Sequence, residues 1–346
     1  MSARTSDMIG LFKKELELCG VREGNTVAVL SEVGTLADYA AGFMTAASQL
    51  GAYTFNVNVP SMGVSTEHKL GDVGQTPLAG NRAALDALKS ADIVVDLLFM
   101  LFSKEQLEIQ KAGTRILLVV EPFEVLARLF PTQELRERVE RAEARLAKAK
   151  RLRFTNPAGT DVTYDLGQYP AMCEYGFTDR PGRWDHWPSG FAFTGGNDTG
   201  VNGRVVMDRG DIIYPFKTYV RDPVEFTIRE GRIVDVRGGF DAMVVRDYMQ
   251  SFDDPDAYGI SHIGWGLNQH AQWAAHVLGV PGIGMDGRAF YGNVLFSTGP
   301  NTELGGTNAT RCHLDLPMKG CTLELDDELI LRDGEVIPAD LRAPGR

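Results

Sequence analysis

Short apolar runs alternate with helical patterns over the first part of the chain. The runs lie at 26–30, 53–57, 92–97 and 115–120. They are rich in valine, isoleucine and leucine, and such near-continuous apolar strands separated by helices are typical of a parallel sheet covered on both faces. An amphipathic segment at 1–20 precedes them and predicts a helix. We therefore predict an open, mostly parallel α/β domain at 1–132.

A charged helical segment at 133–150 separates this region from a second one. Its apolar positions, which include Leu135, Val139 and Leu146, recur every three or four residues and predict a connecting helix packed by one stripe. After this helix, short alternating runs are separated by Gly, Asn and Asp, as in antiparallel strands. We therefore predict that 133–346 is an α+β domain rich in antiparallel sheet. The pattern places hairpins at 225–236 and near 332–334, and helices at 239–251 and 266–278.

Composition and charge exclude several classes of protein. The 346 residues are 44% hydrophobic and 23% charged, which is typical of a globular protein of about two domains. A net charge of −11 argues against a nucleic-acid or anionic-membrane surface, and no apolar run reaches membrane-spanning length. Four cysteines without a CxxC spacing indicate free thiols, which fit a reducing cytoplasm. No GxGxxG or GxxxxGK follows the apolar runs, so a nucleotide site has no support.

His313 and Asp315 are the first sign of chemistry. Residues two apart in an extended segment project from the same face of a strand, so these side chains form half of a metal site. His262 is the third candidate and lies in a Gly-broken turn that leads into the helical pattern at 266–278. Two histidines and one carboxylate form a facial triad, which leaves about three positions of octahedral Fe(II) open for substrate and dioxygen.

Six motifs occur in the order seen in one family of metallopeptidases. They are TNPAGTD at 155–161, WPSGFAFT at 187–194, VNG at 201–203, HIGWGLN at 262–268, GNVLFSTG at 292–299 and HLD at 313–315. Through them the chain resembles the aminopeptidase T superfamily over most of 150–320, with a looser match before it. The resemblance implies a homo-oligomer and, in the peptidases themselves, two metals held by several Glu and His ligands.

The chain departs from the peptidase pattern at most of the ligand positions. Phe191 and His262 stand where the peptidases carry glutamates, and Leu295 stands where they carry a histidine. The expected tyrosine falls near Thr302. A two-metal site needs bridging oxygen ligands, which apolar side chains cannot supply.

The ligands that are left can hold only one metal. They are His262, His313 and Asp315. The region of the second metal would be lined by Phe191, Phe193, Leu295 and Phe296. An apolar wall beside one open-sided iron suits a flat ring, and the pattern resembles the 2,5-dihydroxypyridine 5,6-dioxygenase family, iron(II) ring-opening enzymes of nicotinate catabolism. That resemblance implies Fe(II), a hydroxylated pyridine and O2 as substrates, and N-formylmaleamate as product.

Polar residues near the proposed iron are candidates for substrate binding and proton transfer. Arg311, Asn308 and Thr310 precede the His-x-Asp strand and are predicted to contact the ring. Glu174 and His186 lie in the segment before Phe191 and are predicted to be catalytic, although they could equally form a structural ion pair. Three other histidines are expected to be packing or surface residues, namely His68, His270 and His276.

Two other functions stay open. A hydrolase with one zinc also uses three protein ligands and a water, and Glu174 is its candidate base. A non-catalytic relative with a vestigial site is the second, although the retained His and Asp argue against it.

Overall fold

The computed structural model describes residues 3–61, 71–279 and 282–345. His68 lies outside these residues. The helices are α1 Ala3–Leu18, α2 Ala37–Gln49, α3 Arg82–Lys89, α4 Lys104–Lys111, α5 Phe123–Arg128, α6 Gln133–Leu146, α7 Phe240–Gln250 and α8 Met285–Arg288. Within the described ranges, no helix is both long enough and apolar enough to cross a membrane.

The strands of the described residues fall into four sheets. In chain order they are β1 Thr26–Glu32, β2 Tyr53–Val59, β3 Ile93–Asp96, β4 Arg115–Leu118, β5 Arg151–Thr155, β6 Asp161–Asp165, β7 Met172–Glu174, β8 Trp184–His186, β9 Phe191–Gly195, β10 Val201–Met207, β11 Ile212–Ile213, β12 Thr218–Tyr219, β13 Val224–Arg229, β14 Arg232–Gly238, β15 Ile260–Gly266, β16 Val294–Thr298, β17 Leu314–Met318, β18 Thr322–Leu325, β19 Glu328–Arg332 and β20 Glu335–Val336.

The first compact unit contains 3–61, 73–131 and 175–189. Its sheet has the order β2-β1-β3-β4-β8, and every pairing in it is parallel. A core cluster that includes Leu30, Val94 and Ile116 packs one face of the sheet. The four predicted apolar strands are confirmed, and the short strand β8 is added from a part of the chain beyond the predicted boundary at 132.

The second unit contains 71–72, 132–174, 190–279 and 282–345. Its largest sheet is antiparallel, with the order β14-β13-β10-β6-β5-β18-β19-β20, and a five-stranded antiparallel sheet has the order β17-β16-β15-β9-β7. Ring centroids of Phe226 and Phe296 lie 5.9 Å apart, so these two sheets pack face to face. The predicted fold class, a parallel α/β region followed by antiparallel α+β, is confirmed.

Most predicted elements of the second unit are present, but one helix is wrong. The connecting helix is α6, the helix at 239–251 is α7, and both predicted hairpins form. The helix predicted at 266–278 is replaced by the end of β15, turns and a short 3₁₀ helix at Trp273–Ala275. His262 therefore lies in a strand rather than in a turn, because Gly264 and Gly266 belong to that strand instead of breaking it.

Candidate metal centre

Three neighbouring strands of the five-stranded sheet position the candidate ligands. His262 lies on β15 and Asp315 on β17, while His313 directly precedes β17. On β16 between them, Ser297 pairs with Asp315 and accepts a hydrogen bond from the His262 backbone N–H at 2.8 Å. The three side chains lie on one face of the sheet because their positions share the same alternation.

Three ligand atoms converge in this buried place. The Oδ1 atom of Asp315 lies 3.2 Å from Nε2 of His262 and 3.2 Å from Nε2 of His313, and all three ligand atoms fall within 4.8 Å of one another. Two donor atoms about 2.1 Å from one ion lie about 3 Å apart when they occupy adjacent positions. The observed spacing therefore suits a single metal ion.

The tautomer of His313 strengthens this interpretation. Its Nδ1 lies 3.0 Å from the carbonyl oxygen of Thr298, which can only accept, so Nδ1 must carry a hydrogen. In the neutral ring, Nε2 is then an acceptor that faces the Asp315 carboxylate. Two facing acceptors need a cation between them, and without a metal a proton on Nε2 serves, because the charge of Asp315 outweighs burial and raises the pKa of His313. A metal ion can take the place of that proton, so the donor set also fits a metal ion. Two imidazoles and one carboxylate fit iron(II) or zinc.

Electrostatics keep Asp315 ionised. Burial alone would raise its pKa, but the His313 ring and the Arg288 guanidinium outweigh burial and hold the pKa of Asp315 well below its ordinary value. Arg288 donates from Nε to Oδ2 of Asp315 at 2.6 Å. One carboxylate oxygen thus faces the histidines while the other is held by arginine.

An apolar cluster adjoins the triad on the same face of the sheet. Phe191, Phe193 and Leu295 belong to it, and the ring centroids of Phe193 and His262 are 5.3 Å apart. Phe296 was expected in this wall, and that expectation is wrong. Adjacent residues of a strand face opposite sides, so Phe296 points to the other sheet, where it contacts Phe226.

The three polar residues predicted to contact the ring lie before β17. Arg311 forms an ion pair with Asp72. Asn308 donates its backbone N–H to the side chain of Asn301 at 2.9 Å and thereby closes the 300–308 loop. Thr310 is buried and accepts a hydrogen bond from the backbone of Cys312 at 3.3 Å. Their contact with a substrate stays a prediction.

Glu174 and His186 are both buried but belong to different compact units. Glu174 pairs with Phe191, which pairs with Gly266, four residues from His262 along β15. At about 3.3 Å per residue this is about 13 Å along the strand, too far for Glu174 to ligate the same ion. His186 lies on β8 and pairs with Leu118. Their catalytic role stays a prediction.

Sequence reasoning missed Arg288 and Glu303. Glu303 lies in the 3₁₀ helix Thr302–Leu304. Burial raises the pKa of Glu303; the charges of His262 and His313 partly oppose this, and that of Asp315 adds to it. Its carboxyl group therefore lies in the electrostatic field of the triad. No sequence spacing signals this position, because the folding of the 300–308 loop creates it.

A family model, a curated protein and a solved structure that resemble this chain all carry the same name. The family model of 2,5-dihydroxypyridine 5,6-dioxygenase matches residues 7–338. A 2,5-dihydroxypyridine 5,6-dioxygenase of Pseudomonas putida is 47% identical over 349 residues, which cover 99% of this chain and all of that protein. The solved structure of a 2,5-dihydroxypyridine dioxygenase from Pseudomonas putida KT2440 has a TM-score of 0.94 at 47% identity and covers 98% of this chain and 99% of its own.

A more distant structure shares the fold. AmpT from Thermus thermophilus has a TM-score of 0.66 at 14% identity, over 97% of this chain and 100% of its own. Fold and site thus define a mixed α/β protein with a buried centre of two histidines and one carboxylate.

The sequence matches identify its family. Because they extend over nearly the whole chain, the chain belongs to the 2,5-dihydroxypyridine 5,6-dioxygenase family. It is a dioxygenase, and therefore an oxidoreductase that takes a small molecule and O2.

Proposed function

We propose that this enzyme is a mononuclear iron(II) dioxygenase that opens the ring of 2,5-dihydroxypyridine to give N-formylmaleamate. The convergence of His262, His313 and Asp315 on one point carries the proposal. The reaction balances without an outside reductant, because the product contains the atoms of the ring plus both atoms of O2. The ring supplies the electrons and the C–C bond between positions 5 and 6 breaks.

The chain's own residues hold the iron and shield the site. His262, His313 and Asp315 would be its ligands, and about three further positions would stay open. Bound iron would bring ring and dioxygen together and relay electron density between them. Phe191 and Phe193, whose rings are tilted by 35° to each other, offer an aromatic surface beside the triad that would exclude water and suit a ring. Arg311, Asn308 and Thr310 are proposed to contact the polar edge of the ring.

Oxygen uptake tests this function directly. Protein reconstituted anaerobically with Fe(II) is mixed with 2,5-dihydroxypyridine and ¹⁸O₂, while oxygen consumption and the near-ultraviolet absorbance of the ring are recorded. We expect one O2 per ring, bleaching, and label from both oxygen atoms in the product. Zinc binding with hydrolysis of a peptide or amide, and no oxygen uptake, would instead establish the hydrolase alternative.

Glu174 and His186 are proposed to transfer protons during ring opening. Alanine at either position should lower kcat by about 100-fold, the range for loss of a general acid or base, while bound iron stays stoichiometric. Steady-state kinetics and iron content measure the two effects separately. Unchanged kinetics would remove the residue from the site, and loss of stability with kcat retained would indicate the structural ion pair.

Glu303 provides a matched comparison with Glu174. Both carboxylates belong to the second unit, but Glu303 lies in the electrostatic field of the triad, whereas Glu174 lies further along the sheet beside Phe191. Glu303→Gln and Glu174→Gln remove the same charge and keep the same shape. The variant whose pH profile loses a limb identifies which carboxylate exchanges a proton with the substrate.

The assembly and location are proposed from the sequence. The superfamily resemblance supports a homo-oligomer, and buried thiols at all four cysteines fit the cytoplasm. Light scattering of the purified protein measures the oligomeric state, and a monomeric mass with full activity would contradict it.

A further inference from the structure

The two carboxylate oxygens of Asp315 have different partners. Oδ1 lies 3.2 Å from Nε2 of both histidines, whereas Oδ2 accepts from Nε of Arg288 at 2.6 Å. Asp315 is buried, and the Arg288 side chain is only 14% exposed. The second oxygen is therefore occupied by a short, charge-assisted hydrogen bond that water competes with poorly.

Arg288 is itself held rigidly. Its Nη1 donates to the carbonyl oxygen of Ile283 at 2.6 Å, and its guanidinium carbon lies 4.0 Å from the centre of the Tyr214 ring. The Tyr214 hydroxyl lies 2.6 Å from Nε2 of His276. A Cβ at Gly284 would overlap the Tyr214 ring, so this glycine leaves the space that the tyrosine needs. The contacts with Ile283 and Tyr214 thus fix the position of the guanidinium.

The number of open positions on the metal depends on how Asp315 binds. With two imidazoles and one carboxylate oxygen, about three positions of an octahedral ion stay open. A carboxylate that used both oxygens would take one further position at the expense of the ring or of dioxygen. Arg288 donates to the second oxygen, so it competes with the metal for that oxygen.

We propose that Arg288 is a positioning residue that restricts Asp315 to ligation through one oxygen and so preserves a coordination position for dioxygen. This inference rests on the proposed iron(II) function. The proposed role of Arg288 differs from a purely structural one. Loss of the arginine should leave iron bound but should keep dioxygen, or a probe of its position, from binding to the iron.

Arg288→Met tests the proposal with nitric oxide as a probe for the dioxygen position. Anaerobic Fe(II) protein with 2,5-dihydroxypyridine is titrated with nitric oxide, and the spin-3/2 electron paramagnetic resonance signal is recorded. We expect iron affinity equal to or above that of the unaltered protein, but nitric oxide affinity about tenfold or more lower, the range for loss of a group that supports a ligand. Arg288→Lys keeps a cation near Oδ2 and should restore part of the signal.

Arg153→Met is the matched control, because Arg153 also pairs with an aspartate, through contacts of 2.8 and 2.9 Å to Asp161, but the two side chains are 43% and 59% exposed. It should leave iron and nitric oxide binding unchanged. Normal nitric oxide binding in Arg288→Met would overturn the proposal, as would loss of iron together with a lower melting temperature, which indicates a structural role. If the unaltered protein fails to bind iron or take up oxygen, the proposed function itself fails.

Discussion

Replacing His313 by alanine should remove iron binding and reduce oxygen uptake with 2,5-dihydroxypyridine by at least about 100-fold, the upper range for loss of a group that only supports a ligand. His313 supplies one of three converging donor atoms, and its ring is oriented by the Thr298 carbonyl. A site with one histidine and Asp315 has too few ligands to compete with water for iron(II). Iron content after desalting and oxygen uptake are the measurements.

The fold should survive this change. Arg288 still neutralises Asp315 when the histidine is absent, so no uncompensated charge is left buried. Loss of the hydrogen bond to Thr298 should cost about 1–3 kcal/mol of the free energy of unfolding. His270→Ala is the control, because His270 is exposed and is not one of the three converging residues, so it should alter neither measurement. Full iron content in His313→Ala would contradict the assignment of this ligand.

The parallel unit could be predicted because its strands are apolar at nearly every position. Val27, Val29 and Val94 are fully buried, which a continuous apolar run signals directly. Strand β8 could not be predicted, because three residues carry no periodicity and the strand is specified by its pairing with β4. Long elements are therefore visible in the sequence, whereas short ones that depend on a distant partner are not.

His262 shows how a site residue can be found while its local structure is misassigned. Gly264 and Gly266 suggested a turn, but both are strand residues. A Cβ at Gly264 would overlap the carbonyl oxygen of Ala192, and one at Gly266 would overlap that of Phe290. These glycines permit close approach of neighbouring backbone rather than a reversal of the chain. Single-sequence patterns do not distinguish these two uses of glycine.

Arg288 and Glu303 define the limit of sequence reasoning about this site. The His-x-Asp spacing is local, so geometry alone predicts that His313 and Asp315 share a face. Arg288 reaches Asp315 from a separate short helix, and Glu303 approaches through a loop closed by Asn301 and Asn308. Both relations arise from tertiary packing and have no periodic signature.

Replacing Gly299 by alanine should strongly destabilise the fold beside the centre. Gly299 has a φ of 102°, and an added Cβ would overlap the carbonyl oxygen of Cys312 and lie 3.2 Å from Cα of His313. Relief requires the backbone that carries His313 to move away. We expect a loss of about 3 kcal/mol or more in the free energy of unfolding, from strain plus displaced packing.

The same change should weaken iron binding, because a metal site requires its ligand atoms within about 0.2 Å of their usual distances. Gly320→Ala separates the two sources of strain: Gly320 also has a positive φ, 65°, but no atom lies within 4 Å of the added Cβ. The free energy of unfolding of Gly320→Ala should fall by only about 1 kcal/mol, and this control should retain its iron. Denaturant unfolding and iron content of both variants decide the matter. If Gly299→Ala were as stable and as iron-replete as Gly320→Ala, the close approach of Gly299 to the backbone beside His313 would not determine where that ligand lies.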